Sequence, residues 1–203
     1  SEYSRNNNKD VFNEINTFLS LVNQDKNTLI VTTKKLRKEL TKESKTQMKQ
    51  TGRYENTSIN HFANLRGLNE FNNFNRVIIL DRNQPNNEHL EQRAKALWFD
   101  TDINITTCKD KGEQIYPRGK SGLRMKDQAK QSVTVSYHPD KHVQALLRIH
   151  REAEITQALD RLRLLRGENN DRQVFIATSI PVDITVDYYW DWNHMHDFLG
   201  YFE

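Results

Sequence analysis

The chain has 203 residues, 35% of them hydrophobic, with 30 lysines and arginines against 27 acids, so it can bury a real core and is only mildly basic. A mean hydropathy of −0.87 and a pI near 8.9 suit a domain with polar faces, and they permit a nucleic-acid partner without demanding one. The single cysteine, Cys108, excludes an internal disulfide and a cysteine-cluster zinc site; with no membrane-length apolar run and no signal-peptide pattern, a reducing, cytoplasmic compartment is expected.

Starting at Ser1 rather than Met, the chain reads as a segment cut from a longer protein. Residues 1–9 read as a disordered lead-in, and 10–203 as one domain. From Asp10 to Val22, Val11, Phe12, Ile15, Phe18, Leu19 and Val22 recur at helical spacing, with Asp10 as cap. Thr28 to Thr33 is a β-branched run expected as a buried strand, and Lys34 to Leu40 as a helix. Thr41 to Ser58 is polar and aperiodic. Ile59 to Phe62 and Val77 to Leu80 are expected strands, and Asn87 to Trp98 carries a helix-start signal. This alternation predicts an α/β fold with a mostly parallel sheet.

Lys109 to Lys130 is dense in Lys109, Lys111, Arg118, Lys120, Arg124, Lys126 and Lys130 and broken by Gly112, Pro117, Gly119 and Gly122. It reads as a basic loop inserted between regular elements, the insertion covering roughly residues 109–138 with Ser132 to Tyr137 as an edge hairpin strand. Such a loop can track a phosphate backbone, with Tyr116 for base stacking, or simply be a solvated loop. A long helical pattern follows from Asp140 to Arg166, interrupted near His150 and stopped by Gly167, then a strand from Val174 to Thr178. The aromatic and acidic tail from Asp187 to His196 is expected to pack as a short helix. His194-x-His196 near Asp191 and Asp197 is the nearest approach to a metal motif, but it lacks a defined ligand set, and no metal site is expected.

Two segments carry a resemblance. Glu154 to Arg166 places Gln157, Arg161, Arg163 and Arg166 on a helix ahead of a strand. Upstream, His61-Phe-Ala-Asn-Leu-Arg-Gly-Leu-Asn-Glu-Phe71 precedes Arg76-Val-Ile-Ile-Leu-Asp-Arg-Asn-Gln-Pro85. In this order they resemble the last two signature motifs of superfamily-two helicases, in particular those of mobile-element or phage replication enzymes. Arginine suits such a place because its planar, permanently charged fork spreads charge over phosphate oxygens. Taken alone, the arginine helix reads equally as a solvated, ion-paired face.

The resemblance implies a RecA-like three-layer sandwich, the C-terminal of two such domains in an ATP-dependent DNA helicase. It implies Arg161 as an arginine finger, Arg163 as a second contact and Gln157 as its orienting amide. Gly67, Asn69 and Arg166 would lie at the nucleotide. Asp160 stands where the family has a small residue, Leu164 where it has the second arginine, and Asn69 where it has an acid. The end of the first strand (Thr32, Thr33 and Lys34) would touch nucleic-acid phosphates, although hydroxyls there serve equally to cap the next helix. Arg82 and Pro85 fit the family's strand–loop–proline pattern.

The Gly-x-x-x-x-Gly-Lys-Ser/Thr phosphate loop and an Asp-Glu magnesium motif are absent from the sequence. ATP and Mg would therefore be held mainly by an N-terminal RecA-like domain of the same protein, with single-stranded DNA as the second partner. The alternative is a non-catalytic nucleic-acid-binding or scaffolding domain of a replication or mobile-element protein. A metal-dependent nuclease, resting on scattered His and Asp residues, is a third possibility.

Overall fold

The computed structural model describes residues 14–19, 27–41, 53–54, 56–65, 74–112, 115–160 and 172–192. They fall into two compact units. The first takes in residues up to Arg82, Ile155–Thr178 and the segment from Trp190; the second takes in Asn83–Glu154 and Ser179–Tyr189.

The first unit is built on strands β1 (Thr28–Thr32), β2 (Arg53–Tyr54), β3 (Thr57–His61), β4 (Arg76–Leu80) and β7 (Gln173–Ala177), in the order β2-β3-β1-β4-β7. β3, β1, β4 and β7 are parallel, and the two-residue β2 is antiparallel at one edge. Every residue of β1 and β4 is buried. Their continuous Val/Ile/Leu runs follow from a parallel sheet covered on both faces, where alternation with polar residues has no solvent face to serve. On one face Ile30, Ile59, Ile78 and Leu80 meet Ile15 and Phe18 of helix α1 (residues 14–19) and Leu36 of α2 (Lys34–Leu40). Leu29, Val31, Val77 and Ile79 alternate to the other face and are also buried. At the amino end of β4, Arg76 is buried and donates from Nε and Nη2 to Gln173 Oε1 at 2.9 and 2.7 Å, beside the Phe175 ring.

The second unit pairs helices α3 (Asn87–Leu97) and α4 (Lys141–His150) around Leu90, Ala94, Ile105, Val143, Leu146 and Leu147. The basic stretch is not a loop there. Its second half is β5 (Arg118–Met125), antiparallel to β6 (Lys130–Ser136), with β8 (Thr185–Val186) parallel to the far end of β5. Gly119, which read as a breaker, sits under the Tyr137 ring: a Cβ there would lie 3.3 Å from Cε1, so a larger residue would make the ring give by a few tenths of an ångström.

The expected break in the long helix falls at Arg151, between α4 and α5 (Glu152–Asp160). Arg151 is 1% exposed, bonds both oxygens of Glu152 at 3.1 and 2.6 Å, and donates to the Ser136 carbonyl at 2.7 Å. Among the described residues no helix is long and apolar enough to cross a membrane. The expected terminal helix is not seen over Asp187–Asp191, and His194 and His196 lie outside the described residues, as does Asp10.

Candidate functional site

In open parallel sheets, ligands gather beyond the carboxyl ends of the strands. At that edge of the first unit the chain leaves β1 through Thr33, β3 through His61–Leu65, and β4 through Asp81. Thr33 is the N-cap of α2: its Oγ1 accepts from the Leu36 N–H at 3.3 Å and donates to Asp81 Oδ2 at 3.4 Å. Lys34 follows, exposed, on the first turn. Thr32 is fully buried, and its hydroxyl has no partner among the described residues. Of the three residues expected to meet phosphates, only Thr33 and Lys34 therefore reach outward, and Thr33 is already occupied as a cap.

Beyond β3, Asn60 organises the loop. Its Oδ1 accepts from the His61 N–H and from Asn64 Nδ2, both at 2.9 Å. The Phe62 N–H donates to the Thr32 carbonyl at 3.0 Å, which ties the chain just beyond β3 to the end of β1. Ala63 adopts φ 65°, a left-handed conformation that costs a residue with a Cβ roughly 1–2 kcal/mol. Gly67 and Asn69, farther along the chain, lie outside the described residues, as do Arg161, Arg163 and Arg166. Gln157 is described: it is half-buried on α5, whose Ile155, Ala158 and Leu159 are buried.

Asp81 also has positive φ, at 65°, which aspartate tolerates better than most residues. Burial pushes its carboxyl above the ordinary range, against the lowering effect of a bond to the Arg82 backbone. Asp140, in the second unit, shifts the other way. It caps α4, accepting from the His142 and Val143 N–H groups at 2.8 and 3.2 Å, and takes the Thr106 N–H at 3.0 Å. Burial opposes ionisation there, but these three bonds outweigh it and hold the carboxyl below its usual range.

The two carboxylates give opposite pH dependence. Asp81 favours the folded state when protonated, a contribution lost as pH rises through its raised folded value. Asp140 favours it when ionised, a contribution lost as pH falls through its depressed folded value. Asp81→Asn should therefore raise the Tm at pH 7, with the gain closing toward acid; Asp140→Asn should lower it at pH 7, with the loss closing in acid. Calorimetric Tm values across pH 3 to 8 check both signs.

The second unit also holds a buried cluster that sequence reading missed. Glu91, Cys108 and His138 bring their ligand-type atoms within 4.8 Å of one another, and all three are buried. Glu91 Oε1 accepts from the Cys108 N–H at 2.8 Å and from His138 Nε2 at 3.0 Å. His138 Nδ1 accepts from the Asp140 N–H at 3.1 Å, so the ring proton resides on Nε2. Held this way, the three residues form a hydrogen-bonded clasp, and a cation at His138 Nε2 would have to displace that proton. Tyr116, expected as a stacking platform, instead packs against the α3–α4 core and lies edge-on to His138, and burial pushes its phenol well up.

The cations of the basic stretch separate into tied and untied ones. Lys109 pairs with Glu88 at 2.9 Å, Lys126 with Asp187 at 2.8 Å and Arg124 with Asp183 at 3.0 Å. Lys111, Arg118 and Lys120 are exposed, with no carboxylate partner among the described residues. Compared with known proteins, the chain matches no family model, no curated protein and no solved structure.

Proposed function

We propose that this chain is the C-terminal RecA-like domain of an ATP-dependent DNA helicase of superfamily two, working with an N-terminal RecA-like domain that holds most of the nucleotide. One observation carries the reading. Three segments with helicase-like sequence (Thr28–Lys34, the described residues 61–65 of the His61–Phe71 run, and Arg76–Arg82) stand at three adjacent parallel strands, in the order β3-β1-β4, at one carboxyl edge. The next parallel strand, β7, follows the helix that bears Gln157. This neighbour relation suits a RecA-like three-layer sandwich, as it suits other open parallel α/β sheets, and sequence order alone does not impose it.

ATP with Mg supplies the transferable phosphoryl group; this chain's share is charge and position. Arg161, oriented by Gln157 and seconded by Arg163, balances charge that develops on the phosphoryl oxygens, with Gly67, Asn69 and Arg166 at the nucleotide. The Asn60-anchored loop, tied to the end of β1, links nucleotide to nucleic acid by contiguity with Thr33 and Lys34. Lacking a phosphate loop, the chain alone should hydrolyse no ATP above background, while its full-length parent should do so with stimulation by single-stranded DNA. Turnover by the purified chain itself would overturn the two-domain reading. The alternative of a non-catalytic nucleic-acid-binding module draws on the untied cations of the second unit, and a parent without ATPase activity would favour it.

A further inference from the structure

The register of the β5–β6 ribbon sorts its side chains into two unlike faces. Gly119, Leu123 and Met125 of β5 share one face with Val133 and Val135 of β6, and Met125 is buried. The other face carries Arg118, Lys120, Gly122 and Arg124, which stand opposite Ser136, Thr134, Ser132 and Lys130 respectively. All four of these β5 residues are exposed, as are Lys130, Ser132 and Thr134. Eight positions thus hold four cations, three hydroxyls and a glycine, with no carboxylate among them.

We infer that this outward face is a backbone-tracking site for single-stranded nucleic acid, with Arg118, Lys120 and Lys130 as its free cations. The inference rests on the nucleic-acid partner of the reading above but not on its ATP chemistry. Alternate residues of a strand are about 6.8 Å apart, wider than the roughly 3.4 Å axial rise per nucleotide, so successive cations can meet separate phosphates of one chain. The hydroxyl row on β6 lies about 5 Å to the side, where Ser132 and Thr134 can donate to the same phosphates. Three of the four cations stand in one row on β5, with Lys130 alone across from Arg124 on β6, and so narrow a stripe fits a single phosphodiester chain.

Gly122 leaves a gap in the row, which lets the backbone approach. No aromatic side chain shares this face, so binding should be indifferent to base sequence. Arg124 completes the row but is held at the edge by Asp183, whose side chain is 96% exposed and whose carbonyl also accepts from Arg124. Asp183 therefore competes with a phosphate for Arg124.

Fluorescence anisotropy with a labelled oligothymidylate, at several salt concentrations, tests the site on the whole chain. With three free cations, the slope of log affinity against log salt should be about −2, and Arg118→Ala/Lys120→Ala should reduce its magnitude by about 1.4. Asp183→Asn should tighten binding by freeing Arg124, while Lys109→Ala, whose partner is Glu88, should change it little. All four substituted residues are exposed, and unchanged circular dichroism and Tm would confirm that the variants are folded.

The site is overturned if the double variant keeps wild-type affinity and slope, or if a duplex of equal length binds as tightly as the single strand. Equal binding to vesicles containing phosphatidylserine, lost in the same double variant, would assign the face to a membrane surface instead. If the variants behave as stated while the parent shows no ATP turnover, the ribbon site stands and the helicase reading fails. If the parent turns over ATP but the ribbon variants bind normally, the helicase reading stands and the site falls.

Discussion

In the full-length parent, Arg161→Ala should lower kcat for DNA-stimulated ATP hydrolysis by about 10³-fold or more, the scale at which an arginine finger acts. The KM for ATP should move far less. In the proposed role the guanidinium meets charge that exists mainly in the transition state, so its loss should fall on turnover rather than on ground-state binding. Arg161→Lys should recover only part of the loss, because a point charge cannot span two phosphoryl oxygens as the planar fork does. Gln157→Ala should have a smaller effect of the same kind, since the amide orients the arginine rather than meeting the charge. Steady-state kinetics on the three variants checks this. A kcat for Arg161→Ala within about threefold of wild type, less than 1 kcal/mol of barrier, would place Arg161 on an ordinary solvated face.

The largest structural effect should come from Glu91. Replacing it with alanine leaves the Cys108 N–H and the His138 Nε2–H without an acceptor inside the second unit. Each buried donor left unsatisfied costs about 1–3 kcal/mol, so the two together take a large share of a domain's net stability. His138→Ala should cost a similar amount and, because the two residues share one bond, the double variant should cost less than the sum of the single ones. Cys108 offers a local readout. It is the only cysteine and fully buried, so a thiol reagent should label it slowly in the wild type and quickly in Glu91→Ala. Slow labelling and an unchanged Tm in Glu91→Ala would show that the clasp contributes little.

How far the fold could be read from the chain depended on whether the signal was local. β1 and β4 announce themselves because a parallel strand covered on both faces needs an unbroken apolar run, as in Leu29-Ile30-Val31 and Val77-Ile78-Ile79-Leu80. Thr33 was legible as a cap because a hydroxyl before a helical run has a local use. β5 was not legible: Gly119 and Gly122 are turn signals along the sequence, and only the fold shows the Tyr137 ring packed over Gly119. The clasp was invisible for a different reason. Glu91 and His138 are 47 positions apart on a helix and a loop, and neither looks unusual where it stands. Nothing local in the chain marks Arg151 as buried, yet it packs against Glu152 and the end of β6. At the candidate nucleotide edge, the sequence supplied residue types and order, and the fold added which strands are neighbours. It also removed Thr32 from the accessible surface.

The most direct measurement is a structure of the full-length parent with a phosphoryl-transfer transition-state analogue of ATP and single-stranded DNA. On the proposed function, the Arg161 guanidinium should lie within hydrogen-bond reach, about 2.7–2.9 Å, of the analogue's oxygens, with Gln157 beside it and the nucleotide facing the carboxyl edge of β3-β1-β4. Arg161 directed into solvent, or a nucleotide bound away from that edge, would contradict it.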